Sequence, residues 1–125
     1  MSLHTRERSE HPDAVAPDGS EVRILAATSR GSMAQFTLPP GAVSKAVAHR
    51  SVEEVWLCTH GHGRMWRRLG AAEATVDLRP GISVAIPVGA QFQFRNDGEE
   101  PLHCVGVTMP PWPGMDEAYE VMGVW

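Results

Sequence analysis

The chain has 125 residues, of which 42% are hydrophobic, and its formal net charge is -4 at pH 7. This length fits one domain of ordinary size, because a second domain would leave each half too small for a core of its own. The acidic balance, with only a short basic cluster at residues 64–68, argues against a nucleic-acid-binding surface, and no apolar run approaches the roughly 20 residues that span a bilayer.

Residues 1–20 are polar, rich in Pro, Asp and His, and without periodicity. This composition predicts a flexible arm, or one that becomes ordered by docking onto another surface. The beginning of the chain shows no signal-peptide apolar region, so we expect a cytoplasmic protein. In that compartment Cys58 and Cys104 are expected to be reduced, small, buried residues rather than a disulfide or catalytic nucleophiles.

From residue 21 onward, short apolar stretches alternate with turn residues at intervals of about 8 to 12 residues, which is typical of an all-β sandwich or barrel. In residues 91–96, for example, the two phenylalanines fall on one face and the polar side chains on the other. The pattern predicts strands at 21–27, 32–38, 43–49, 54–60, 63–69, 73–79, 82–86, 91–96 and 102–109. Because prolines withhold the ladder donor, residues 110–125 are predicted to form an irregular tail on the barrel, with a short helical turn near residues 116–119.

The first of two spaced motifs begins at Gly41. After five intervening residues comes Val47-Ala48-His49, after four more Glu54, and after another six Gly61. The short connection between His49 and Glu54 predicts that their strands form a hairpin. Both side chains would then point the same way into the interior.

The second motif begins at Gly81. After five intervening residues comes Pro87-Val88-Gly89, after two more Phe92, and after another three Asn96. In spacing and order the two motifs resemble those of the cupin family, which read Gly-x5-His-x-His-x3-4-Glu-x6-Gly and Gly-x5-Pro-x-Gly-x2-His-x3-Asn. The resemblance extends over most of residues 21–109 and implies a double-stranded β-helix, or jelly-roll, barrel.

The resemblance also implies a metal site in the barrel, where three histidines and one glutamate would hold Fe, Mn, Ni, Zn or Cu. In this chain Val47 stands at the first histidine position and Phe92 at the third, and neither side chain has an electron pair to donate. Only His49 and Glu54 remain, fewer than the three protein ligands usual in catalytic metal sites. We expect no metal cofactor. The alternative is a divalent transition metal on His49 and Glu54, with His103 as a further ligand if it points inward.

The same replacements make the predicted pocket apolar, and its expected lining residues are Val47, Trp56, Cys58, Phe92, Phe94 and Trp112. In such surroundings burial raises the pKa of Glu54 and lowers that of His49, whereas pairing between them opposes both shifts. The pair is therefore either tightly coupled or neutralised. Either state leaves a couple that can donate and accept protons near neutral pH.

Three kinds of function are compatible with these residues. One is a module that binds a small, partly apolar organic molecule without a metal. Another is a small enzyme, either an isomerase, epimerase or lyase with His49 and Glu54 as catalytic residues, or a metal-dependent oxygenase with a reduced ligand set. The last is a barrel kept as a structural unit. The resemblance further implies a homodimer, for which the arm, Trp66 and Trp125 are candidate contact regions.

Overall fold

The computed structural model describes residues 3–125, and Met1 and Ser2 of the predicted arm lie outside the described residues. No helix in this range is long and apolar enough to cross a membrane. The elements in chain order are β1 Ala14–Val15, β2 Glu21–Ala27, β3 Ser32–Leu38, β4 Val47–His49, β5 Glu53–His60, β6 Gly63–Leu69, β7 Ala72–Leu78, β8 Ser83–Ile86, β9 Gln91–Asn96, β10 Leu102–Met109, a 3-10 turn at Met115–Glu117 and β11 Ala118–Glu120.

The strands form two sheets that pack face to face. The six-stranded sheet has the order β1-β2-β3-β10-β5-β8 and the five-stranded sheet the order β11-β4-β9-β6-β7, with antiparallel pairing in both. Along β10, every second side chain from Leu102 to Thr108 is buried and faces the core, while its neighbours lie on the outer face. The predicted all-β jelly-roll fold is confirmed.

The predicted hairpin between residues 43–49 and 54–60 is wrong. β4 pairs with β9 and β11 in one sheet, whereas β5 pairs with β10 and β8 in the other. The chain therefore crosses from sheet to sheet at residues 50–52. His49 and Glu54 still face a common interior, but they do so from opposite sheets.

Glu117 in the 3-10 turn fixes this crossing. Its carboxylate accepts hydrogen bonds from the backbone N–H groups of Ser51 and Val52, each at 2.6 Å, and from the Ser51 hydroxyl. Burial acts to raise the pKa of Glu117, but these hydrogen bonds outweigh it and hold the pKa below its ordinary value. The C-terminal tail thus positions the end of the strand that carries His49.

The N-terminal arm lies against the barrel. β1 pairs with β2, and Arg23 donates hydrogen bonds to the carbonyl oxygens of Ser9 and Glu10 at 3.1 and 3.0 Å. At the end of the arm, the backbone N–H of Lys45 donates to the carbonyl of Asp18 at 2.8 Å. The arm therefore joins the two sheets at one end of the barrel.

The last residues of the tail lie over the outer face of the five-stranded sheet. Gln93 holds them, because its Oε1 accepts from the backbone N–H groups of Val124 and Trp125 at 3.0 and 3.1 Å. Trp66, Gln93's register partner on β6, is 2% exposed and donates its indole N–H to Glu73 at 2.7 Å. The expectation of an exposed Trp66 at a partner surface is therefore wrong.

Candidate functional site

A cavity of about 370 Å³ lies between the sheets at the end of the barrel that the arm covers. Both sheets, the arm and the tail contribute to its wall. Most of the wall is apolar, and its larger side chains include Phe36, Val47, Trp56, Phe92 and Trp112. The polar side chains in the wall are Asp18, Ser32, His49, Glu54 and Thr108.

Two residues expected in the lining lie elsewhere. Cys58 and Phe94 are 1% and 0% exposed and belong to the packed core beyond the cavity. Each is two residues further along its strand than Trp56 or Phe92, so it faces the same interior at a deeper level. Val47, Trp56, Phe92 and Trp112 do lie in the wall.

An aromatic stack forms part of the cavity wall. The ring of Trp56 lies 4.7 Å from that of Phe36, centroid to centroid, at an angle of 12°. Gly106 on β10 makes this possible, because a Cβ atom there would lie 2.8 Å from the Trp56 ring and 2.9 Å from the Phe36 ring. The indole N–H of Trp56 donates to Glu54 Oε2. The stack therefore also orients the carboxyl group.

His49 projects from the end of β4 and is 4% exposed. Its Nδ1 lies 3.5 Å from Glu54 Oε1, longer than an ordinary hydrogen bond, and finds no hydrogen-bond partner among residues 3–125. The imidazole meets the rings of Phe92 and Trp112 edge to face, with centroid distances of 5.3 Å in both cases. The cavity wall thus contains a buried nitrogen whose hydrogen-bonding capacity is unused.

Burial decides the protonation of this pair. It lowers the pKa of His49 to about 4, against the opposing charge of Glu117. It raises the pKa of Glu54 to about 7, a shift that the Trp56 hydrogen bond reduces and the nearby Asp18 increases. Of the two states that the sequence left open, the neutralised one is favoured. At pH 7 His49 is neutral and Glu54 is close to half protonated.

Asp18 is a wall residue that sequence reasoning missed. It is 5% exposed, its Oδ1 accepts hydrogen bonds from the Ser20 N–H at 2.9 Å and the Ser20 hydroxyl at 2.7 Å, and burial raises its pKa. Residues 17–20 are typical of an exposed turn. The only signal in the sequence is this turn itself, and the turn does not reveal that the barrel covers it.

His103 does not point into the barrel. On β10 it alternates with the buried Leu102 and Cys104, and its Nδ1 lies 2.8 Å from Thr37 Oγ1 on the outer side of the six-stranded sheet. The expectation that it could complete a metal shell with His49 and Glu54 is therefore wrong.

The donor set does not fit a cupin metal centre. Val47 and Phe92, the hydrocarbon residues at two histidine positions, are register partners on β4 and β9. Among residues 3–125, no three His, Cys, Asp or Glu side chains are grouped so that they could hold a metal ion. Of the four cupin ligand positions, only those of His49 and Glu54 therefore carry a donor side chain.

The sequence profile of the cupin domain matches residues 34–108, more than half of the chain. The chain belongs to the cupin family. No match was found among curated protein sequences.

Solved structures share the fold of this cupin at low sequence identity. An uncharacterised double-stranded β-helix protein from Klebsiella pneumoniae is 16% identical, with a TM-score of 0.69 over 95% of this chain and 91% of that one. An oxalate oxidase in complex with glycolate is 19% identical, with a TM-score of 0.76 over 94% and 63%. Oxalate decarboxylase from Bacillus subtilis, whose structure contains Mn(II) centres, is 19% identical, with a TM-score of 0.73 over 90% and 30%. The TM-scores establish a shared fold, and identities this low leave the activity of this cupin open.

Proposed function

We propose that this cupin binds a small, largely apolar organic molecule in its barrel without a coordinated metal. The observation that carries the proposal is the cavity, whose volume of about 370 Å³ lies in the range of small-molecule sites. Its aromatic and aliphatic wall would contact the body of the ligand. Its few buried polar groups would orient one polar end.

The polar groups differ in how fully they are already satisfied. Thr108 and Ser32 bond each other through their hydroxyls at 2.5 Å, and Ser32 also accepts the backbone N–H of Trp112 at 2.9 Å. His49 Nδ1 has no such partner in the described part of the chain. An unsatisfied buried polar atom costs about 1 to 3 kcal/mol, so a ligand that bonds it gains affinity there.

The proposal is tested by screening chelator-treated protein against a library of small organic molecules by thermal shift. We expect at least one compound to raise the melting temperature. Ala34→Leu, which fills part of the cavity, should abolish that shift, whereas Ala85→Leu on the exposed face of β8 should preserve it. Absence of stabilisation by any compound, or a shift unchanged in Ala34→Leu, would contradict the proposal.

A metal-free isomerase, epimerase or lyase is the second candidate, favoured by the protonation of His49 and Glu54. A neutral imidazole 3.5 Å from a carboxyl with a pKa of about 7 offers one proton acceptor and one donor. A ligand found in the screen should then exchange a C–H proton for deuterium in D₂O, as followed by NMR. His49→Ala should stop this exchange while the barrel stays folded. Exchange that continues in His49→Ala would contradict an enzyme in which His49 is the catalytic base.

We also propose a homodimer formed through the outer face of the six-stranded sheet. In register across β3, β10 and β5, an apolar patch is formed by Met33, Val55, Leu57, Val105 and Val107. Met33, Val55 and Leu57 are 38 to 47% exposed. The polar side chain next to the patch is Gln35, the register partner of Val105, which accepts a hydrogen bond from Arg8 at 3.2 Å. The patch of a second copy has the same apolar side chains, so a two-fold axis would bury the two patches against each other.

Sedimentation at micromolar concentration tests the dimer. Leu57→Glu should give a monomer, and Thr59→Glu, on the same strand outside the patch, should leave the dimer intact. A monomeric wild-type protein would contradict the proposal.

We also propose a cytoplasmic location, which the two cysteine thiols support. Cys58 and Cys104 are register partners on neighbouring strands, and both are free. Adjacent thiols persist in a reducing compartment. Alkylation of the protein in lysed cells under denaturing conditions should label both, and recovery of a Cys58–Cys104 disulfide would argue against this location.

A further inference from the structure

We infer that the ligand is a small organic cation, an amine with an alkyl or aryl body, rather than a carboxylate. This inference rests on the proposed binding function and adds the charge of the ligand. It depends on the charged groups of the cavity wall and on the separation of two acceptor atoms within it.

The ionisable side chains of the cavity wall are two carboxyl groups and one imidazole. Asp18 and Glu54 are 5% and 4% exposed, and the wall includes no lysine or arginine from the described residues. A carboxylate ligand would be buried without a counter-charge beside two carboxyl groups, each of which repels it when ionised, and this is unfavourable. An ammonium group would find the opposite charge within the cavity.

The geometry of Glu54 and His49 suits a donor with several N–H bonds. Glu54 Oε2 already accepts a hydrogen bond from the Trp56 indole, while Glu54 Oε1 lies 3.5 Å from the unpartnered Nδ1 of His49. In the tautomer that carries its proton on Nε2, neutral His49 presents Nδ1 as an acceptor. One ammonium group can donate to both atoms at once, whereas a carboxylate can donate to neither.

The aromatic wall suits the rest of such a molecule. Trp56, Phe92 and Trp112 surround the two acceptors, and His49 meets two of these rings edge to face. Aromatic rings attract organic cations through their quadrupoles, and Trp does so most strongly. The hydrocarbon body gains burial at the same time.

Binding of a cation should be coupled to the ionisation of Glu54, whose pKa is about 7. The ionised fraction rises from about a tenth at pH 6 to about nine tenths at pH 8, so the affinity for an amine should rise about tenfold over this range. The titratable groups that face Glu54 are Asp18, whose charge raises its pKa, and His49 at 3.5 Å, with Glu117 behind the imidazole.

The test uses three probes that share a benzyl group and have eight carbon atoms each, namely phenethylamine, phenethyl alcohol and phenylacetate. Dissociation constants are measured by ligand-observed NMR and calorimetry at pH 6 and pH 8. We expect the amine to bind at least about tenfold more tightly than phenylacetate at pH 8 and about tenfold more weakly at pH 6 than at pH 8.

Variants assign the effect to the carboxyl group. Glu54→Gln should weaken amine binding by about tenfold or more at pH 8 and remove its pH dependence, while leaving the affinity for the alcohol unchanged. Glu53→Gln, on the exposed outer face of the same strand, removes the same charge and should change nothing. If Glu54→Gln fails to fold, Asp18→Asn gives a second test. Its side-chain oxygen can still accept from Ser20, and amine binding should again weaken.

The outcomes separate this inference from the proposal on which it rests. Equal binding of the three probes, or tightest binding of phenylacetate, would overturn the cation inference and leave small-molecule binding in the cavity standing. Failure of these probes together with every compound of the library would overturn both. Amine binding that Glu53→Gln reduces as much as Glu54→Gln would also overturn the cation site.

Discussion

The two ends of the barrel use the same strands but fill their interior differently. At the closed end Phe94, Leu102 and Cys104 are fully buried and belong to one packed core cluster. At the other end Phe92 and Gly106, each two residues away from Phe94 or Cys104 on the same strand, border the cavity of about 370 Å³. A step of two residues keeps a side chain on the same face, so the same strands form packed core at one level and cavity wall at the next.

The largest expected effect comes from emptying the closed end. Phe94→Ala should lower the free energy of unfolding by about 3 to 5 kcal/mol, because it leaves a void in a packed region. Phe92→Ala should cost at least about 1 kcal/mol less, since one side of that ring already borders a cavity. Urea denaturation of both variants measures the difference, and equal losses would contradict the contrast between the two ends.

The stability of the fold should also depend on the ionisation of Glu54, the buried carboxyl at the open end. The pKa of Glu54 rises from an ordinary value of 4.5 to about 7 in the folded protein. The folded state therefore holds this proton more tightly than the unfolded state. The contribution of Glu54 to stability is complete below pH 4.5 and is lost as the pH rises through 7.

Glu54→Gln should remove this pH dependence. Between pH 5 and pH 8 the wild type should lose about 2 to 3 kcal/mol more stability than the variant. The lowered pKa of His49 changes the free energy of unfolding at acidic pH in both proteins alike. Its contribution therefore cancels when the two are compared. Glu53→Gln serves as the control that should retain the wild-type profile. A constant difference between wild type and Glu54→Gln at all pH values would show that Glu54 titrates normally.

The third prediction sharpens the role of the small residue at the open end. Gly106→Ala places a methyl group against the Trp56–Phe36 stack and should cost about 1 to 3 kcal/mol, with a changed near-ultraviolet circular dichroism signal. Gly98→Ala, whose Cβ would meet nothing closer than 3.5 Å, should change little. An unperturbed aromatic signal in Gly106→Ala would mean that the stack does not depend on the glycine.

Much of the fold could be predicted because strand positions are a local property. Turn residues and alternation gave the observed bounds of β2, β3, β6, β9 and β10. β1 and β11 were missed, since strands of two and three residues exist only through their pairing with β2 and β4. The false hairpin has a related cause: a short connection at residues 50–53 permits a hairpin, but the choice of partner strand is made across the whole chain.

The candidate site was predictable only in part. Motif spacing identified His49 and Glu54, which the structure brings to 3.5 Å. The inward face of β10 could not be identified, because apolar side chains such as Val105 and Val107 alternate with the buried ones and both faces look alike. Asp18 was missed because its burial depends on a contact with Lys45, far away in the sequence.

The walls of the cavity extend beyond the stretch that the family shares. The cupin profile covers residues 34–108, whereas Ala14 to Asp18 come from the arm and Trp112, Met115 and Ala118 from the tail. A barrel reduced to residues 34–108 would lose the part of the cavity wall that the arm and the tail supply. A cupin can therefore change what it recognises through its two chain ends as well as through the strand residues that line the cavity.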